Sequence, residues 1–111
     1  MVTTTFKFSD YPKNIVFFCG LDVHKRQLEV ALYARDDTGK EFLKSELFKP
    51  DQRGLDSAWN FVTLYRPAKF TMEATNVYHH VVATFLDAKK KEADWEYECI
   101  IVPPADAAGI P

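Results

Sequence analysis

Three things are scarce in this chain, and each scarcity excludes something. Of its 111 residues only two are cysteines, Cys19 and Cys99. Neither belongs to a Cys-x-x-Cys spacing, which argues against a cysteine metal site. Both stand in apolar, strand-like runs and read as reduced core thiols, not as a secreted disulfide framework. Positive charge is not in excess either: 14 lysines and arginines face 16 acids, for a formal net charge of -2. A domain that binds nucleic acid on its own usually carries a basic stripe. The one tight basic run here, Lys89-Lys90-Lys91, suits a solvated helix end at least as well as a phosphate contact. Long apolar runs are missing too, all falling far short of the ~20 residues of a membrane helix. Met1 to Phe8 lacks the basic region and apolar core of a signal peptide. The expectation is a soluble cytoplasmic protein with no membrane partner.

What is present argues for a folded chain. At 47% hydrophobic and 14% aromatic residues it can build a core, and its length suits one domain or a piece of one. The stretch that organises it is Gly20-Leu21-Asp22-Val23-His24-Lys25, which ends the apolar run from Ile15. An aspartate in a hydrophobic strand is costly to bury unless a partner or a metal compensates it. Glu73 is the matching candidate, the only other acid in a comparably strand-like stretch, Lys69-Phe70-Thr71-Met72-Glu73-Ala74-Thr75.

Residues 1–14 read as a lead-in tail, ending near the turn-like Asp10-Tyr11-Pro12-Lys13. Ile15 to His24 suits a central strand buried on both faces, with Phe18, Gly20, Asp22 and His24 on one of them. Gly20 leaves room beside Asp22. Gln27 to Arg35 alternates around Leu28, Val30 and Leu32 and stops at Asp36-Asp37-Thr38-Gly39-Lys40. Glu41 to Phe48 completes an antiparallel meander, and its charge predicts the sheet edge. Asp51 can cap a helix with Leu55, Ala58, Trp59, Val62 and Tyr65 on one stripe, stopped by Pro67. Ala68 to Thr75 is a strand, and Asn76 turns into a helix with an apolar stripe of Val77, Val81, Val82, Phe85 and Leu86. Trp95 to Val102 makes a fifth strand before Pro103-Pro104.

The order β-β-β-α-β-α-β, with no internal repeat, describes a mixed α/β sheet of the ribonuclease-H-like kind. With the first strand parallel to the fourth, Asp22 and Glu73 point at one spot. Two close carboxylates repel unless a cation lies between them. A pair of divalent ions about 4 Å apart, held by carboxylates, activates water and stabilises the leaving oxygen of a phosphodiester. Magnesium fits such an oxygen-rich site, so the implied chemistry is phosphoryl transfer on a nucleic acid backbone. Simpler roles compete. Asp22 can cap a turn or pair with Lys25 or Arg26, and His24 reads as a polar strand end that could also orient a carboxylate. His79 and His80 suit capping and exposure, Thr71 and Thr75 local hydrogen bonds, and Tyr78 and Trp59 the core.

These same residues resemble a known family, the DEDD transposases of the IS-one-ten insertion-sequence group, relatives of the Piv invertase. The resemblance rests on Gly20 to Lys25, on Met72-Glu73-Ala74-Thr75 with Val77-Tyr78-His79, and on Ile101-Val102-Pro103, and it runs from Ile15 onward. It implies a RuvC-like domain whose four acids bind divalent metal for DNA strand cleavage and exchange, Asp22 matching the first acid and Glu73 the second. The third and fourth belong to an Asp-x-x-Asp motif that this sequence does not contain, and Asp106 has no acid three residues on. Residues 15–111 are therefore expected to be a partial amino-terminal domain, truncated before the last helix and inactive alone, with the two-metal Mg2+ site complete only in a longer protein. Asn76 replaces a common glycine, and asparagine tolerates a left-handed turn. The resemblance also implies transposon-end and target DNA, a guide-like RNA and self-association for the full-length protein. Two other readings stay open. An actin-like or sugar-kinase half shares the element order but needs glycine and a hydroxyl where His24-Lys25 stands. A non-enzymatic interaction module would use the two acids only for ion pairs.

Overall fold

A computed structural model describes residues 15–74 and 77–103. The lead-in tail, the Thr75-Asn76 turn and Asp106 lie outside the described residues. The elements run β1 (Phe17–Val23), β2 (Leu28–Arg35), β3 (Glu41–Phe48), α1 (Gln52–Thr63), β4 (Lys69–Glu73), α2 (His79–Lys89) and β5 (Glu98–Val102). They build one five-stranded sheet in the order β3-β2-β1-β4-β5. β1 pairs antiparallel with β2 and parallel with β4, and β4 pairs parallel with β5. As the charge of Glu41–Phe48 predicts, β3 is an edge.

Period-two alternation sorts the sheet into two unlike faces. Phe17, Cys19, Leu21 and Val23 of β1, Leu28, Val30, Leu32 and Ala34 of β2, and Phe70 and Met72 of β4 are all buried. Leu55, Ala58, Trp59 and Val62 of α1 and Val82 and Leu86 of α2 close on that same side. Asp51 starts α1 by accepting a hydrogen bond from the Gly54 amide at 2.7 Å. The helix ends where Arg66, at φ 49°, returns its amide to the Val62 carbonyl ahead of Pro67. At its foot Trp59 stacks on Trp95, ring centroids 5.4 Å apart, and the Trp95 indole donates to the Pro67 carbonyl.

The other face of β1 is open among the described residues, which corrects the expectation of burial on both sides. Phe18 is 44% exposed and Asp22 is exposed. An unbroken apolar run reads alike whether one face or both are covered, because the aromatic at 18 raises hydrophobicity without being packed. Three further expectations change. β5 begins at Glu98 and not at Trp95, because Trp95 and Tyr97 pack on rings beside the sheet before pairing begins. On α2, Val77 and Val81 are exposed at 70% and 51%. His79, expected at the surface, is instead buried at 7%, while Tyr78 holds the cap position. Burying His79 turns the helix so that Val82 and Leu86 carry the packing.

Candidate functional site

The open face of the sheet brings Asp22, Glu29, Thr71 and Glu73 together toward the carboxyl ends of β1 and β4. β1 and β2 are joined by a tight turn in which the His24 amide donates to the Gln27 carbonyl at 2.8 Å. That turn sets the register, placing Glu29 opposite Asp22, Ala31 opposite Gly20 and Tyr33 opposite Phe18. On the other side Gly20 is level with Thr71 and Leu21 with Met72. The next positions, Asp22 and Glu73, therefore project from one face of neighbouring strands, which run about 4.8 Å apart. Thr71 helps hold the strands in phase, its hydroxyl donating to the Cys19 carbonyl at 3.4 Å.

Gly20, Asp22, His24, Glu29, Thr71 and Glu73 line one cleft of about 750 Å³. Its floor is small-residue: a Cβ placed on Gly20 would meet no atom within 4 Å, as its sequence position suggests. Asp22 is not buried; its side chain is 64% exposed, so the desolvation cost expected from its sequence setting does not arise. Its side-chain partner is His24, with Nε2 3.0 Å from Asp22 Oδ1, and not Lys25 or Arg26. The strand stops at Val23, so His24 meets Asp22 from the turn and not by strand alternation. Glu73 is half-buried at the end of β4, level with Val102 of β5.

Glu29 is the cleft residue that sequence reasoning missed. Its signal was available: it alternates against the core residues Leu28 and Val30, and a four-residue turn after Val23 returns it beside Asp22. The histidines at 79 and 80 take no part in the cleft, their rings lying 4.0 Å apart on α2. The lysine run is engaged locally. Lys89 lies over Trp59 and Phe85 and pairs with Glu92 at 3.1 Å, while Lys90 lies over Tyr97. A hollow of about 800 Å³ beside Trp95 and Tyr97, at the opposite end of β4, gathers no comparable set of acids on adjacent strands.

Aspartate and glutamate oxygens are the donors a hard divalent cation prefers, and Asp22 and Glu73 could hold one through its own waters. Among the described residues, no three histidine, cysteine, aspartate or glutamate side chains are grouped to bind a metal ion directly. The two strand acids therefore fit part of a coordination shell and not a closed cage.

A five-stranded mixed sheet ordered 3-2-1-4-5, with a three-strand antiparallel meander and parallel β4 and β5, is the ribonuclease-H-like fold of the RuvC kind. In sequence, no family model and no curated protein matches the chain. In structure it is similar to the Holliday junction resolvase of fowlpox virus, with a TM-score of 0.58 and 16% identity over 80% of this chain and 62% of that one. RuvC of Thermus thermophilus gives a TM-score of 0.58 at 12% identity, over 80% of this chain and 64% of that one. The fowlpox resolvase in complex with its substrate Holliday junction DNA gives 0.56 at 16% identity, over 81% and 62%. At these identities the likeness establishes the fold. The chain spans less than two thirds of the length of these resolvases.

Proposed function

We propose that residues 15–111 are the part of a RuvC-like DNA recombinase domain that carries its first two metal-binding acids, Asp22 and Glu73, in a protein of the IS-one-ten DEDD transposase type. The observation that carries this reading is the shared cleft: Asp22 and Glu73 stand one residue beyond the paired Leu21 and Met72 of adjacent parallel strands, on the open face. The resolvases that share the fold include one bound to branched DNA, which supports DNA as the substrate class. The transposase type rests on the Gly20 to Lys25 and Met72 to Thr75 motifs.

A bound magnesium ion would supply charge neutralisation and a more acidic water. Asp22 and Glu73 would hold it, and the small floor at Gly20 leaves space for a phosphodiester to approach. The remaining acids of the four have no match in these 111 residues, so efficient DNA cleavage by this chain alone is not expected. Self-association and a guide-like RNA, both for the full-length protein, complete the reading by resemblance, and a cytoplasmic location follows from reading Cys19 and Cys99 as reduced core thiols.

Manganese binding, followed by the loss of the free-ion electron paramagnetic resonance signal, tests it. The wild-type chain should bind Mn2+ weakly, and Asp22→Asn and Glu73→Gln should each weaken binding at least tenfold. Equal affinity in all three proteins would leave the acids as ordinary surface carboxylates and favour a non-enzymatic interaction module.

A further inference from the structure

We infer that His24 is a positioning residue for Asp22, fixing the aspartate side chain in one rotamer so that its second oxygen faces the cleft. This rests on the reading of Asp22 as a cation-binding acid and adds to it a residue whose ordinary description would be a turn histidine.

The ring comes to Asp22 from a backbone that is itself held. The His24 amide is tied to the Gln27 carbonyl at 2.8 Å, which closes the β1–β2 turn and leaves the side chain to lean back over the strand end. Nε2 then lies 3.0 Å from Asp22 Oδ1. A carboxylate accepts only, so the imidazole tautomer bearing Nε2–H is the one selected. Among the described residues no other side chain is bonded to Asp22, Gly20 offers no side chain on the same face, and the aspartate is largely exposed. An exposed aspartate beside a glycine would otherwise sample several rotamers. Lys25 and Arg26, the nearest full cations in sequence, make no ion pair with Asp22.

Two measurements on His24→Ala and His24→Gln separate this inference from the reading beneath it. Glutamine can place an amide N–H where Nε2 stands; alanine cannot. Three-bond couplings from the Asp22 side-chain carboxyl carbon to backbone nitrogen and carbonyl carbon report its χ1 angle without any metal. They should show one rotamer in the wild type, averaging in His24→Ala and one rotamer again in His24→Gln. Manganese affinity should fall roughly three- to fivefold in His24→Ala and recover in His24→Gln, at unchanged melting temperature. Averaged Asp22 couplings in the wild type, or unchanged couplings in His24→Ala, overturn the positioning role. An ordered rotamer that depends on His24, with no manganese binding by any variant, confirms the positioning and removes the metal reading.

Discussion

Leu21 and Met72 are the last residues through which β1 and β4 pair, and the acids that follow them share a cleft while Leu21 and Met72 themselves share the core. Adjacent positions of one strand are thus committed to opposite tasks.

Urea unfolding should show that division directly. Leu21→Ala removes a buried side chain and should cost about 2–4 kcal/mol. Asp22→Asn changes an exposed group and should stay within about 0.5 kcal/mol of wild type. A loss at Asp22 comparable to that at Leu21 would mean that the acid has a structural task the open cleft does not explain.

Gly54 permits the entry to α1. A Cβ there would lie 1.7 Å from the Lys49 carbonyl oxygen, which is backbone and cannot swing aside. Gly54→Ala should therefore destabilise by about 3 kcal/mol or more, although alanine is the better helix former. Asp51→Ala, which removes only the cap to the Gly54 amide, should cost about 1 kcal/mol. Equal effects for the two variants in the same unfolding experiment would rule out the close approach as the cause.

The alkaline limb of stability should bear the mark of Tyr97. Burial, reinforced by the nearby Cys99, Asp87 and Glu92, pushes its phenol up to about 12 from an ordinary 10, and its hydroxyl donates to the Leu86 carbonyl. Between those values the folded chain keeps a proton that the unfolded chain has lost, so stability falls as pH rises through the interval. Thermal melts from pH 9 to 12 should show a shallower decline for Tyr97→Phe. Some slope will remain, because burial also pushes up the Cys19 thiol.

The open face can be tested apart from the acids. Phe18 is 44% exposed and Leu47 57% exposed on the side of the sheet away from both helices. Replacing Phe18 by Thr should change stability by less than about 1 kcal/mol and lower the binding of an apolar dye. A large loss of stability would show that Phe18 is packed.

Much of this fold was readable because its strands alternate cleanly. Leu28, Val30 and Leu32 pointed inward on sequence alone, and the turn at Asp36 to Lys40 is held by Asp36 accepting from Thr38 and Lys40 as its composition suggests. α2 was harder: apolar residues at 77, 81, 82, 85 and 86 surround more than one side of the helix, so no single stripe identifies the packed face. Only the burial of His79 fixes the rotation. Trp95 and Tyr97 misled for a related reason, since aromatics favour strands and ring clusters alike. At the cleft, the pairing of Asp22 with Glu73 followed from strand order, whereas Glu29 required a register that only the turn at residues 24–27 sets.

The hydrogen bonds that lock β4 beside β1, from the Ala68 amide to Phe17 and from the Thr71 hydroxyl to Cys19, act as a phase marker for everything downstream. One residue inserted between Pro67 and Lys69 would advance β4 by half a pleat period, sending Phe70 and Met72 to water and Glu73 into the helices. Core and cleft are written on alternate letters of the same strand, so a frame slip there erases both. Length changes that preserve the cleft must arrive in pairs or fall in the loops beyond it.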